Sequence, residues 1–139
     1  MSNLRHTFIP SAVRSADGQT DLIDFSGQFQ ACRGMTAVLN VTAVAGSLPT
    51  LDVYLQQELP DGSFQDYATF AQVTGIAKRV LLVMPEQGSV ESAGSDKQLV
   101  AGRVQKGPLS SKWRAAWKIS GTLVSFTFAV DVELFECES

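Results

Sequence analysis

The sequence is short of the residues that carry out chemistry. Among 139 residues there is one histidine, His6, and there are two cysteines, Cys32 and Cys137. Nucleophilic catalysis of the Ser/His/Asp or Cys/His kind needs an imidazole held rigidly beside the nucleophile. His6 sits in an N-terminal stretch with no regular apolar period, which argues for a polar residue in an arm rather than a catalytic base. Two cysteines and one histidine are too few soft ligands for a structural zinc site. The favoured reading is two reduced, partly buried thiols, and a Cys32–Cys137 bridge requires the first and last strands to be neighbours. Phosphate-binding loops, dinucleotide fingerprints, HExxH and EF-hand loops are all missing. No enzyme activity, cofactor or metal is expected.

Charge is also sparse, at 18% of residues, and the formal net charge of −3 points to neither a nucleic-acid nor a membrane partner. No apolar run approaches the ~20 residues that span a bilayer. MSNLRHTFIPSAVRS lacks the apolar centre of a secretory leader, so assembly in a cytoplasm is expected.

What is present is strand pattern. GTLVSFTFAVDVEL, residues 121–134, alternates Val124, Phe126, Phe128, Val130, Val132 and Leu134 with small or polar residues, the period of a strand with one buried face. GSLPTLDVYL, residues 46–55, echoes it at an offset of 75 residues, with Gly46 matching Gly121, Leu48 matching Leu123 and Val53 matching Phe128. A two-residue turn at Gly121-Thr122 sets Ile119 opposite Val124, Trp117 opposite Phe126, Ala115 opposite Phe128 and Trp113 opposite Val130, with Lys112 opposite Asp131. That register predicts a hairpin with both tryptophans in the core. Met35–Val44 is apolar on both sides and is expected in mid-sheet. Thr50–Leu59 should point Leu51, Val53 and Leu55 inward and Asp52, Tyr54 and Gln56 outward. Pro60-Asp61-Gly62-Ser63 is a turn closing a hairpin onto Phe64–Val73. Leu22–Phe29, the run RVLLVM at 79–84 and Leu99–Val104 are further strand candidates, whereas 87–98 is a Gly/Ser-rich surface loop.

Residues 1–19 read as an extended arm and 20–139 as one domain. Phe8 and Ile9 need cover, either from their own domain or from a neighbouring subunit. Strands at roughly 8–12-residue spacing, with no helical period, indicate an all-β fold. An antiparallel two-sheet sandwich of jelly-roll type with an extended N-terminal arm fits best.

The 14 carboxylates include Asp52, Asp61 and Asp66 around the first hairpin. Two such groups can flank a glycosidic bond, but a turn aspartate and a wet strand face favour solvated charge. Six basic residues and no acid lie between Lys97 and Lys118, and four acids and no base between Asp131 and Glu138. Pairing within the fold, or a complementary protein surface, is preferred to nucleic acid, because Trp113 and Trp117 alternate onto the apolar side. Tyr54 with Gln56 and Gln57 makes a polar-aromatic strand face of the kind sugar-binding sandwiches use.

VTAVAGSLPTLDVYLQ, then PDGSF, FAQVTG and WKISGTLVSFTFAVDVEL together resemble the small β-rich structural proteins of tailed-bacteriophage virions. The likeness covers Val41–Gly75 and Trp117–Leu134, and Val124 stands where the first copy has Pro49. It implies a virion protein that decorates and cements the capsid, binds the major capsid protein and self-associates, as a trimer in many such proteins. A head–tail or tail component is the alternative it implies, and a carbohydrate- or receptor-binding sandwich on the tail is a further one. Those motifs are turn and core positions and bring no binding residues. Independently of the resemblance, the arm residues Leu4, His6, Phe8 and Ile9 and the loop residues Val90 and Lys97 are candidate partner contacts.

Overall fold

A computed structural model describes residues 2–25, 32–84, 96–97, 99–102, 104 and 111–137. Among the described residues seven strands form one antiparallel sheet: β1 (Ser2–Arg14), β2 (Gly18–Gln19), β3 (Ile23–Asp24), β4 (Gly34–Glu58), β5 (Phe64–Thr69), β6 (Ala77–Val83) and β7 (Lys112–Cys137). The two long strands, β4 and β7, pair from Gly34↔Phe135 to Gln57↔Trp113. Along the other side of β7 run β1, β2 and β3, from Ser2↔Cys137 through Gly18↔Trp117 to Asp24↔Lys112. Along the other side of β4 run β5, from Glu58↔Phe64 to Tyr54↔Thr69, and β6, from Val41↔Ala77 to Met35↔Val83. The fold is thus four long antiparallel runs, each broken or bent near its middle.

The bend is made by the repeated motif. Gly46 and Gly121 have φ of 100° and 128°, and Leu48 and Leu123 both have φ of 52°. The β4–β7 register shifts between Ala45 and Thr50. These paired irregularities cross back to back. A Cβ at position 46 would stand 2.6 Å from both Leu123 O and Val124 Cα, and one at 121 would stand 2.7 Å from Leu48 O. Only glycine allows this backbone approach from both sides. The corner turns the two halves of the sheet toward each other, so Trp117 meets Phe128 at 5.8 Å and Phe8 meets Trp113 at 6.2 Å between ring centroids. One core results, drawn from Met35, Leu39, Leu51, Leu55, Trp113 and Phe126 among others.

Several expectations are corrected. Residues 113–119 and 124–130 do not form a hairpin, because they are successive parts of β7 and both pair with β4. Inward side chains switch from odd (Trp113, Ala115, Trp117) to even positions (Val124, Phe126, Phe128) across Gly121. A two-residue turn and a bulge both produce that switch, and here it is a bulge. Both tryptophans are nonetheless buried, as expected. The expected arm is strand β1, and Phe8 and Ile9 are buried by their own chain. The run at 79–84, expected as a strand, lies largely in β6 at the sheet edge, where Val80 and Leu82 are exposed.

Other placements follow the sequence. Of Met35–Val44, Met35–Val41 lies between β7 and β6, and the turn at 60–63 closes with Leu59 N donating to Ser63 O at 2.7 Å. Of Leu22–Phe29, only Ile23–Asp24 is strand, and residues 26–29 lie outside the described set, as does most of the 87–98 loop. Within 99–104, Val104 makes one isolated bridge to Ala68 in place of a strand. Cys32 is disulfide-bonded, which overturns the expectation of reduced thiols, and Cys137 is the chain's other cysteine. The backbone condition for that bridge is met, since Arg33 N donates to Phe135 O at 3.2 Å.

Gly46→Ala and Gly121→Ala should each destabilise by at least the roughly 1–3 kcal/mol typical of strained backbone. Gly75→Ala, where a Cβ meets nothing within 4 Å, should change stability by under ~0.5 kcal/mol. Urea unfolding midpoints of the three variants measure the difference.

Candidate functional site

Residues expected on a wet face are covered. Gln56 is fully buried and Tyr54 nearly so, and Asp96, Lys97 and Leu99 of a distant segment bond to this side of the sheet at Gln56 and Asp66. A polar cluster holds that segment there. Gln56 Nε2 donates to Asp66 Oδ1 and to Asp96 Oδ1, each at 2.8 Å, and Gln56 Oε1 accepts from Arg114 Nε at 2.7 Å. Asp66 Oδ1 also accepts from Lys97 N, and its Oδ2 from Leu99 N, both at 2.9 Å. Arg114 lies 4.3 Å above the Phe64 ring and 3.6 Å from Asp96. The period-two pattern put Gln56 on an outward face, and the strand pairing sets Asp66 and Arg114 on either side of it. What the pattern did not reveal is that a distant segment closes over them.

Asp66 is therefore a buried structural acceptor and not the solvated charge expected. Its hydrogen bonds include those from the backbone amides of Lys97 and Leu99 in the covering segment. Asp52 is different, accepting from Gln72 Nε2 at 3.0 Å on the surface. Asp61 is a turn residue, and the Ser63 hydroxyl and amide that donate to it hold its carboxyl below the usual range.

The basic stretch is partly matched within the fold, but with other acids than expected. Arg114 faces Asp96, and the backbone register sets Lys118 across from Asp52 and Lys112 across from Asp24. Asp131, expected beside Lys112, instead accepts from Thr7 Oγ1 at 2.8 Å. Near it an open depression of about 640 Å³ crosses β1, β7 and β4. Its charged border is already paired, with Arg5 Nε 2.8 Å from Glu133 Oε1 and Asn3 Nδ2 3.0 Å from Glu133 Oε2. Among the described residues no three His, Cys, Asp or Glu side chains are grouped to hold a metal ion.

The proposed contact residues are scattered. Phe8 and Ile9 are in the core, Leu4 is partly buried against it, and His6 is exposed with its ring 5.3 Å from that of Phe25. Lys97 is half-buried in the covering segment, and Val90 lies outside the described residues. Trp113 and Trp117 offer no sugar platform, being 0% and 9% exposed. Sequence reasoning missed the largest exposed apolar groups, Leu48 at 86% and Leu123 at 93%. The signal was there: both are the third residue of the repeated G-S/T-L motif, one phase away from the inward positions.

No protein-family model, curated protein or solved structure matches this chain.

Two measurements probe the covered face. Asp66→Asn turns one acceptor into a donor opposite backbone N–H groups and should cost about 1–3 kcal/mol in chemical denaturation. Burial first, and then the Asp52, Asp66 and Asp17 carboxylates, push the Tyr54 hydroxyl up from 10.0 to about 12. The unfolded phenol ionises first, so this stability is intact below pH ~10 and is lost as pH rises toward 12. Tyr54→Phe should flatten that part of a stability–pH profile, and an unchanged slope would refute the assignment.

Proposed function

We propose that the chain is a structural protein of a tailed-bacteriophage virion, a capsid decoration protein that binds the major capsid protein and stabilises the shell. The strand motifs in Val41–Gly75 and Trp117–Leu134 support the phage assignment. The observation that carries the binding role is the pair Leu48 and Leu123, almost fully exposed and both in left-handed backbone. Such backbone costs a leucine roughly 1–2 kcal/mol, and exposure returns none of it through burial. Strain of this kind at a surface position is a reason to look for a partner.

In this reading the two facing halves of the bent sheet serve as the layers of a jelly-roll-type sandwich, and the corner is the crown that meets the shell. The disulfide at Cys32 suits a particle that spends time outside a reducing cytoplasm. A sugar-binding role on a tail is less favoured, since the tryptophans that would stack on a glycan are buried.

The test is co-sedimentation of the purified chain with assembled capsids stripped of decoration. The wild-type chain should bind, while Leu48→Asn with Leu123→Asn should lose affinity at least ~10-fold and keep or raise the melting temperature, since asparagine tolerates this backbone. Failure of the wild-type chain to bind any capsid would overturn the reading, as would full binding by the double variant.

A further inference from the structure

The strands at the borders of the sheet are not alike. An open strand edge is a template for another strand, and proteins usually blunt it. At β5 the edge is covered, with Gly102 N donating to Thr69 O at 3.0 Å and Val104 bridging Ala68. Along β1 it is blunted by Pro10, by register shifts at Leu4, Ile9 and Ala12, and by Arg14, whose guanidinium donates to Pro10 O at 2.9 Å and Ala12 O at 3.2 Å. Strands β2 and β3 have two residues each.

Among the described residues the edge at β6 is neither covered, nor interrupted by proline, nor shifted in register, and its only blunting groups are the exposed Lys78 and Arg79. Its register with β4 runs unbroken from Met35↔Val83 to Val41↔Ala77, and it contains no proline. Among the described residues nothing hydrogen-bonds to its outer edge. Val80 and Leu82 are 66% and 51% exposed, and Val80 stands beside Val38 on the outer face of the sheet.

We propose that two copies of this chain join through β6, antiparallel across a two-fold axis at Val80. The edge is complementary to itself in that register. Val80 meets its counterpart, while Lys78 falls opposite Leu82 and Arg79 opposite Leu81, so no charge opposes a like charge. Val38, Val80 and Leu82 of both copies then form one apolar patch over a continuous sheet. Such a contact is isologous and closes on itself as a dimer. A trimer would require β6 to meet a different patch on the next copy, and the long edge available for that, β1, is blunted. The inference does not depend on the capsid reading.

The experiment is the solution mass of the full chain by light scattering, from about 1 to 100 µM, which brackets the affinities common for such contacts. The expected mass is twice 15.0 kDa, and Val80→Lys, which sets two lysines against each other on the axis, should weaken dimerisation at least ~10-fold. Val13→Lys on β1 should leave the dimer unchanged. Circular dichroism of each variant checks that the sheet is intact, and both positions are exposed, so folding should survive. Val80→Cys should form a covalent dimer on oxidation, whereas Val13→Cys should not. A wild-type monomer across the range, a trimer, or a dimer indifferent to Val80→Lys would each overturn the proposal.

Discussion

Everything in this fold hangs on two stretches of backbone touching at the corner. β4 and β7 bend at the same level, and each presents a glycine to the other's carbonyls. Without that approach the four long runs would continue as a nearly flat ribbon with one apolar face in water. With it, the ribbon doubles over, and Trp117 and Phe8 find aromatic partners from the opposite half. The hydrophobic gain of the core is thus conditional on a local steric permission, which is why the same motif stands at both positions 46 and 121.

Ionisable side chains serve the same end. Asp66 and Gln56 fasten the covering segment by its amides, Arg114 joins them while lying on Phe64, and Arg14 lies 4.9 Å from the rings of both Trp117 and Phe128. Burial lowers the Arg14 pKa without neutralising it, and its guanidinium also reaches the Phe128 carbonyl at 3.2 Å. Polar groups that are buried and bonded in this way hold one arrangement in place more than they add net stability. A chain that commits its polar groups to its own framework is suited to interaction through shape and apolar contact.

The available surface agrees with that view. The exposed large apolar residues include the corner leucines and the β6 pair Val80 and Leu82, which occupy different regions. One group protrudes from strained backbone, and the other borders a strand edge that is regular and uncovered among the described residues. They correspond to the two contacts proposed above, one to a shell and one to a second copy.

Residue order alone was enough for the all-β class, the mid-sheet place of the strand from Met35, the inward positions of Leu51–Leu55 and Phe126–Leu134, the turn at 60–63, the burial of both tryptophans and the repeat itself. These are local properties, since alternation and turn chemistry act within a few residues of each other. The tertiary structure decided which strands pair. The phase change at Gly121 suits a hairpin and a bulge equally, and only β4, about 70 residues away, selects the bulge by offering a partner along the full length of β7. It also decided that the arm is strand β1, that Asp66 is buried and that Cys32 is bridged. Each of these depends on a segment distant in sequence arriving at a particular face, and alternation along a single strand carries no record of what will cover it.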